Sequence, residues 1–203
     1  MPTNADPDAI MMLRVKNGDM EALAILVDKY KQPVINFIYR TIQDENEAED
    51  LAQAVFLQVY KSACRYRVSA KFSTWLFTIA RNLCLNEIRR RSRHPVESLQ
   101  TLPSDDEDSV LRQFADTRVC TPPDALLQRE LVQKVEQALA QLPEKQRTAI
   151  LLCRQEEMSY EEIAKVIGCS LSATKSLIHR GRETLRQKLN PYLRSGSLEA
   201  LQK

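Results

Sequence analysis

The segment that decides the fold is SYEEIAKVIGCSLSATKSLIHRGR, residues 159–182. Ser159 and Glu162 have the spacing of a capping box, which predicts that a helix begins directly after the serine. Gly168 stands at the expected end of this helix, where a residue in the left-handed backbone conformation is favoured. Ser170 stands at the expected N-cap of the next helix. A short helix, a tight glycine-containing turn and a second helix together indicate a helix-turn-helix.

The second helix of this motif has two different faces. One face is predicted to be buried, since its small and apolar residues recur at helical spacing. These residues are Thr174, Ile178, Gly181 and Leu185. The other face is small, polar and basic, as a helix that enters a DNA major groove requires. Its residues are Ser172, Ala173, Lys175, Ser176, His179, Arg180 and Arg182. The alternative is a solvated helix of an ordinary bundle.

Upstream of the motif, an apolar stripe at helical spacing predicts a further helix. The stripe consists of Leu127, Leu131, Val135, Leu139 and Leu142. Pro143 ends that helix and begins the next one. Between His94 and Asp124 the periodicity fades, and four prolines accompany the acidic run 105–108, which is typical of a flexible linker. The chain therefore divides into two domains.

The first domain is predicted to contain three or four helices. Periodic apolar residues place helices over 19 to about 42, about 47 to 60 and about 73 to 91. Pro33 is expected to bend the first of them.

The helix expected at 47–60 is amphipathic. Leu51, Val55 and Val59 form its buried stripe, whereas Asp50, Gln53 and Ala54 lie away from that stripe. Taken alone, this pattern describes an ordinary surface helix whose acidic start suits the helix dipole.

The segment Phe72–Phe77 contains Trp75, the single tryptophan of the chain, and leads into an arginine-rich helix. Either Ser73 or Thr74 is expected to cap that helix. In one interpretation, the aromatic side chains of this segment belong to the hydrophobic core of the first domain. In the other, they form a platform for unstacked bases, while the arginines hold the phosphates of the strand.

Composition excludes several classes of protein. The chain has 203 residues, with 29 Lys+Arg against 27 Asp+Glu and only 4 Gly, which favours a charged, helix-rich protein. Its apolar runs are far shorter than the about 20 residues that cross a membrane, and its first ten residues lack the basic start of a signal peptide, so we expect a cytoplasmic protein. Five separated cysteines and two isolated histidines suggest no disulfide framework, metal site, cofactor or catalytic centre.

Five motifs, in order, resemble those of the extracytoplasmic-function sigma factors, the small bacterial members of the sigma-70 family. They are Glu49–Gln53, Phe72–Asn82, Leu142–Arg147, Ser159–Ala164, and Lys175–Ser176 followed by His179–Arg182. The resemblance implies an all-α chain of two small helical domains, sigma region 2 and sigma region 4 with its helix-turn-helix, joined by a flexible linker. The expected boundaries are residues 1–94 for region 2, 95–124 for the linker, 125–190 for region 4 and 191–203 for a C-terminal tail.

The resemblance also implies partners and sites. Glu49, Asp50 and Gln53 would dock on the coiled coil of the polymerase β′ subunit, and the loop 64–71 would capture a flipped base of the minus-ten element. The residues that would bind and melt the minus-ten element are Phe72, Ser73, Thr74, Trp75, Arg81, Asn82, Arg89 and Arg90. The helix 172–182 would read the minus-35 element of promoter DNA, the helices before it would meet the flap of the β subunit, and an anti-sigma factor would hold the protein inactive. Neither domain would catalyse a reaction.

The sequence departs from the family pattern at three positions. Ala54 stands where the family often has Glu, Leu177 where an Arg often follows the Lys-Ser pair, and Thr174 where a core Val is usual. Two other functions remain open at this point. One is a helix-turn-helix regulator that binds operators without polymerase, and the other is a protein whose first domain binds only a regulator. The Glu49–Gln53 and Phe72–Asn82 motifs favour the sigma factor, because a simple repressor has no use for them.

Overall fold

The structure, a computed structural model, describes residues 6–93, 122–155 and 158–199. The first domain has four α-helices and a single 3-10 turn within the described range. They are α1 (Pro7–Lys16), α2 (Met20–Ile42), α3 (Glu45–Ser62), the turn Ala63–Arg65 and α4 (Phe72–Arg93). Of the expected linker 95–124, residues 95–121 lie outside those described, and residues 122–124 belong to the first helix of the second domain.

The second domain also has four described helices. They are α5 (Pro122–Ala140), α6 (Glu144–Cys153), α7 (Tyr160–Ile167) and α8 (Leu171–Glu199). The expectation of an all-α chain with two helical domains is thus confirmed. The last helix continues through Pro191, where the sequence suggested that a tail begins. In the expected stripe of α5, Leu139 and Leu142 are buried but Leu131 is 37% exposed, so burial begins nearer to Pro143 than the pattern indicates.

The core of the first domain lies where α2, α3 and α4 meet. Aromatic rings of α4 contact α2 edge-on, with ring centroids 5.5 Å apart for Phe37 and Phe77 and 5.4 Å apart for Tyr30 and Phe72. Val55 and its stripe on α3 complete the core as predicted, although Leu51 is only partly buried. The core therefore fixes α4 firmly against α2.

The start of α4 corrects one prediction. Neither Ser73 nor Thr74 caps the helix, because both hydroxyl oxygens are buried without a hydrogen-bond partner. The carboxylate of Asp6 accepts instead from the backbone N–H of Phe72 at 2.7 Å. Since Asp6 also caps α1 by accepting from the N–H of Asp8, one side chain satisfies amides at two helix starts.

The helix-turn-helix forms as the sequence predicts. Ser159 Oγ accepts from the N–H of Glu162 at 3.3 Å, and the Glu162 carboxylate accepts from the N–H of Ser159 at 2.6 Å, which completes the capping box. Gly168 ends α7 in the left-handed conformation (φ 72°, ψ 47°). Ser170 Oγ then accepts from the N–H of Ala173 at 3.2 Å and caps α8.

Gly181 allows α8 to lie close to α6. A Cβ added at this glycine would approach Cγ1 of Ile150 to 2.8 Å, closer than two carbon atoms tolerate. Ile178 and Thr174 on the same face are buried, so the face assigned to the domain core is confirmed. The opposite face of α8 is thereby directed outward.

Candidate nucleic-acid interface

The outward face of α8 is open along its first three turns. All seven side chains assigned to it by the sequence are exposed: Ser172, Ala173, Lys175, Ser176, His179, Arg180 and Arg182. Arg182 donates from Nη2 to Sγ of Cys153 at 3.2 Å, which orients its guanidinium. An exposed, small and basic helix face behind a tight turn has the shape and charge to enter a major groove.

The C-terminal end of α4 carries a second basic surface. Asn86, Arg89, Arg90 and Arg93 line a cleft of about 340 Å³ on one side of the helix. Sequence reasoning named Arg89 and Arg90 but missed Asn86 and Arg93. The signal was available, since the four positions follow the i, i+3, i+4, i+7 spacing of a single helix face. Within this cleft, Arg89 donates from Nη1 to the side-chain oxygen of Asn86 at 3.4 Å.

Glu87 holds two of the α4 arginines. Arg90 donates to its carboxylate at 2.7 and 3.0 Å, and Arg91 at 2.7 Å. Hydrogen bonds from Arg90 and then Arg91 hold the pKa of Glu87 below its ordinary value of 4.5, although burial acts in the opposite direction. Arg91 also donates to Asp44 at the start of α3, at 3.0 Å. Arg91 therefore ties helices together, while Arg89 and Arg93 remain directed into the cleft.

The aromatic start of α4 is largely internal. Phe72, Ser73 and Thr74 are buried, with at most 4% of their surface exposed. Trp75 is partly buried, and its ring lies 4.9 Å from that of Tyr66 and 6.0 Å from that of Phe72. Of the four residues predicted to meet DNA here, the structure leaves only Trp75 with part of its surface open.

The next two predicted residues have different surroundings. Asn82 is exposed, whereas the side chain of Arg81 is only 11% exposed. The guanidinium of Arg81 donates to both carboxylate oxygens of Glu144, at 3.0 and 3.2 Å. Arg81 therefore contacts the second domain of its own chain.

The third predicted surface lies on the side of α3 that faces away from the core. Glu49, Asp50 and Gln53 are all exposed. Glu49 and Gln53 stand beside a groove of about 300 Å³ between α2 and α3. Its other walls are Val27, Lys31, Ile35, Ala52 and Phe56. The α2 wall was missed by sequence reasoning, although its three residues recur every fourth position. An apolar floor with polar edges suits a partner helix.

No group of His, Cys, Asp and Glu in the part of the chain that the structure describes is arranged to hold a metal ion. Burial raises the pKa of the Cys84 thiol to about 12, so this thiol is unreactive at neutral pH. Among the same residues, no helix is both long and apolar enough to span a membrane.

Comparison with known proteins places both domains. Residues 26–94 match Sigma-70 region 2, and residues 132–185 match Sigma-70, region 4. The RNA polymerase sigma-H factor of Pseudomonas aeruginosa is 35% identical, over 93% of this chain and 97% of the relative. The ECF RNA polymerase sigma factor SigW of Bacillus subtilis is also 35% identical, over 87% and 93%. The structure of the sigma factor RpoE with the anti-sigma factor NepR from Bartonella quintana shares the fold, with a TM-score of 0.61, 23% identity and coverage of 82% and 96%.

Two helical domains, each with a basic helix surface, define a DNA-binding protein with a helix-turn-helix at its C-terminal side. Matches to both sigma regions and the identity to full-length relatives specify the class further. The chain belongs to the extracytoplasmic-function sigma factors of the sigma-70 family. It is a transcription initiation factor, and this membership favours promoter-directed initiation over the operator-binding regulator that the sequence alone left open.

Proposed function

We propose that the outward face of α8 reads the minus-35 element in the major groove. The observation that supports this proposal is the exposure of all seven assigned side chains, from Ser172 to Arg182, while Thr174 and Ile178 on the opposite face are buried. Lys175, Arg180 and Arg182 supply charge for phosphates, and the small Ser172 and Ala173 let the helix approach base edges closely.

The cleft at the end of α4 receives the displaced single strand of the minus-ten element. Arg89 and Arg93 hold its phosphates, and Asn82 lies about two turns before Arg89 on the same helix. Exposed residues of the loop before α4, among them Arg67 and Val68, are available for the flipped base. Because a base must leave the stack before it is read, binding energy for the strand supplies the cost of melting, about a few kcal/mol.

The α2–α3 groove receives the coiled coil of the polymerase β′ subunit. Its supporting features are the apolar walls Ile35 and Phe56 and the polar edge formed by Glu49 and Gln53. Asp50 is exposed beside this edge. The helices α5 and α6 meet the β flap. In this account the protein acts in the cytoplasm as a dissociable subunit, adds no catalysis of its own, and is held inactive by an anti-sigma factor, as RpoE is bound by NepR in the Bartonella complex.

A binding assay with core polymerase tests the groove. Labelled full-length protein carrying Glu49→Lys and Asp50→Lys is titrated with core enzyme, and we expect affinity to fall by at least about tenfold because the charge of the groove edge is reversed. The matched control is the double variant Glu21→Lys and Glu161→Lys, which reverses the charge of two exposed glutamates outside the groove, one on α2 and one on α7. Equal affinity of the double variant and the unaltered protein would contradict this placement of β′.

A further inference from the structure

The first helix of the chain, α1, contacts both ends of the loop that precedes α4. At one end, Nζ of Lys16 donates to the backbone carbonyl oxygen of Tyr66 at 3.0 Å. At the other end, the carboxylate of Asp6 accepts from the backbone N–H of Phe72 at 2.7 Å. Asp6 is the N-cap of α1, and Lys16 is its last residue. The two ends of α1 therefore hold the two ends of the loop.

The same two loop residues are also fixed by their side chains. Tyr66 is 3% exposed, and its ring centroid lies 4.9 Å from that of Trp75. Phe72 is fully buried, with its ring 5.4 Å from that of Tyr30. Because both end points are fixed in the core, the conformational freedom of this loop is confined to residues 67–71.

The helix that holds the loop is itself attached firmly to the first domain. Its side chains in the core, each at most 4% exposed, are Ala9, Met12 and Val15. The carboxylate of Asp8, also buried, accepts from the hydroxyl of Tyr30 at 2.5 Å and from Nζ of Lys29 at 2.6 Å. Hydrogen bonds to an ionised carboxylate are stronger than those between neutral groups. The contacts of α1 thus connect the loop to a fixed support.

The residues between the two end points face outward. Arg67, Val68 and Ser69 are exposed, and 56% of the surface of Val68 is open. The N–H of Ser69 donates to the carbonyl oxygen of Arg67 at 2.9 Å, which makes the tip of the loop a tight turn. An exposed apolar side chain next to a cation suits an unstacked base, which has an apolar face and belongs to an anionic strand.

We propose that Asp6 and Lys16 are positioning residues for base capture, through which α1 holds the loop in the conformation that receives the flipped base. The inference rests on the proposed function of this loop. Ordering a loop when a ligand binds costs conformational entropy, and a loop that is ordered only part of the time lowers the affinity by that fraction. Both residues act through the backbone of the loop, so that neither touches DNA.

The experiment measures base preference with the holoenzyme, assembled from purified core polymerase and the full-length protein. The probe is a DNA single strand of about 20 nucleotides with a randomised central window, and the bound strands are sequenced. The double variant Arg67→Ala and Val68→Ala identifies the position that the loop reads, because the preference at that position is expected to disappear.

Lys16→Met is the decisive variant, since it keeps the length of an exposed side chain and removes only its charged donor. We expect it to lower the preference at the loop-dependent position about fivefold and to leave the other positions unchanged. Lys16→Arg retains a donor and is expected to restore the preference. The matched control is Arg14→Met, which removes one charge from the same helix but from a side chain that donates to Asp19 at 2.8 Å.

The other end of the loop is tested in the same way. Asp6→Ala removes the acceptor for the N–H of Phe72 and is expected to lower the same preference, whereas Asp6→Asn keeps an acceptor oxygen and is expected to retain most of it. Hydrogen–deuterium exchange without DNA gives a second readout. Exchange in peptides that cover residues 64–71 is expected to rise in Lys16→Met and to stay unchanged in Arg14→Met.

The outcomes separate this inference from the function on which it depends. A loss confined to the loop-dependent position and reversed by Lys16→Arg supports the proposal. An unchanged preference in Lys16→Met, at a position where the loop variant loses it, would overturn the positioning role alone. A uniform loss of affinity with a flatter salt dependence would also overturn it, because Lys16 would then be a phosphate contact. A preference that the loop variant retains, or none in the unaltered protein, would overturn the assignment of the flipped base to this loop and the positioning role with it.

Discussion

Loss of the two arginines at the end of the recognition face has an effect that follows from their exposure. Arg180 and Arg182 are exposed on the outward side of α8. Among the described residues, the side chain of Arg180 has no hydrogen-bond partner. If each neutralises one phosphate, Arg180→Ala should flatten the slope of log K against log salt by about 0.9, and the double variant by about 1.8. Between about 50 and about 200 mM salt, the affinity of the unaltered protein would then fall about 12-fold more than that of the double variant.

The assay is fluorescence anisotropy of the full-length protein with a mixed-sequence duplex of about 30 base pairs, titrated at several salt concentrations. The control variant replaces Lys31 and Lys61, which are exposed on α2 and α3, by alanine. It removes the same charge from exposed positions outside α8, of which Lys31 lines the α2–α3 groove. Salt slopes that remain parallel for the double arginine variant and the unaltered protein would refute the placement of α8 in the groove. So would an equal flattening in the lysine control.

Three further predictions concern folding and strand opening. Gly181→Ala should lower the free energy of unfolding by about 1–3 kcal/mol, because the new Cβ would lie 2.8 Å from Cγ1 of Ile150. A double-mutant cycle with Ile150→Ala, measured by chemical denaturation, should show that the two changes in the free energy of unfolding are not additive. Additive changes would argue against this close approach. Because the pKa of Glu87 is depressed in the folded protein, its carboxylate stabilises the fold at pH values above 4.5, the ordinary pKa. This stabilisation is lost as the pH falls through the depressed pKa. The melting temperature of Glu87→Gln should therefore change less with acid than that of the unaltered protein. Trp75→Ala should impair strand opening, followed by the fluorescence of 2-aminopurine in a promoter duplex, more than it impairs polymerase binding, and equal losses would assign Trp75 to the core alone.

Local signals predicted the helix-turn-helix in detail. The capping box of Ser159 and Glu162, the left-handed Gly168 and the N-cap Ser170 each depend on neighbours within a few residues, and each is present in the structure. The two faces of α8 likewise follow from helical periodicity alone. These features were predictable because their energetics are local to the chain.

Features that depend on distant residues were not predictable. The cap of α4 comes from Asp6, 66 residues away along the chain, whereas the adjacent Ser73 and Thr74 are turned into the core. Arg81 was assigned to DNA by its place in a motif, but its partner is Glu144 in the other domain. No periodicity connects such pairs, because they arise only when two folded surfaces meet.

The cleft on α4 was only partly predicted from the sequence. Arg93 and Asn86 share a helix face with Arg89 and Arg90, so that helical spacing was sufficient to include them. The same spacing leaves Arg91 off this face, and the structure adds what Arg91 contacts instead, namely Glu87 and Asp44 at the start of α3.

The central claim is that this chain directs core RNA polymerase to promoters. The measurement that tests it most directly is run-off transcription from a pool of genomic fragments with purified core polymerase, with and without the protein. The account predicts transcripts that depend on the protein and start downstream of two spaced sequence elements, and it predicts fewer of them with the Arg180→Ala and Arg182→Ala variant. Absence of protein-dependent transcripts, with duplex binding retained, would contradict the account and indicate a regulator that acts without polymerase.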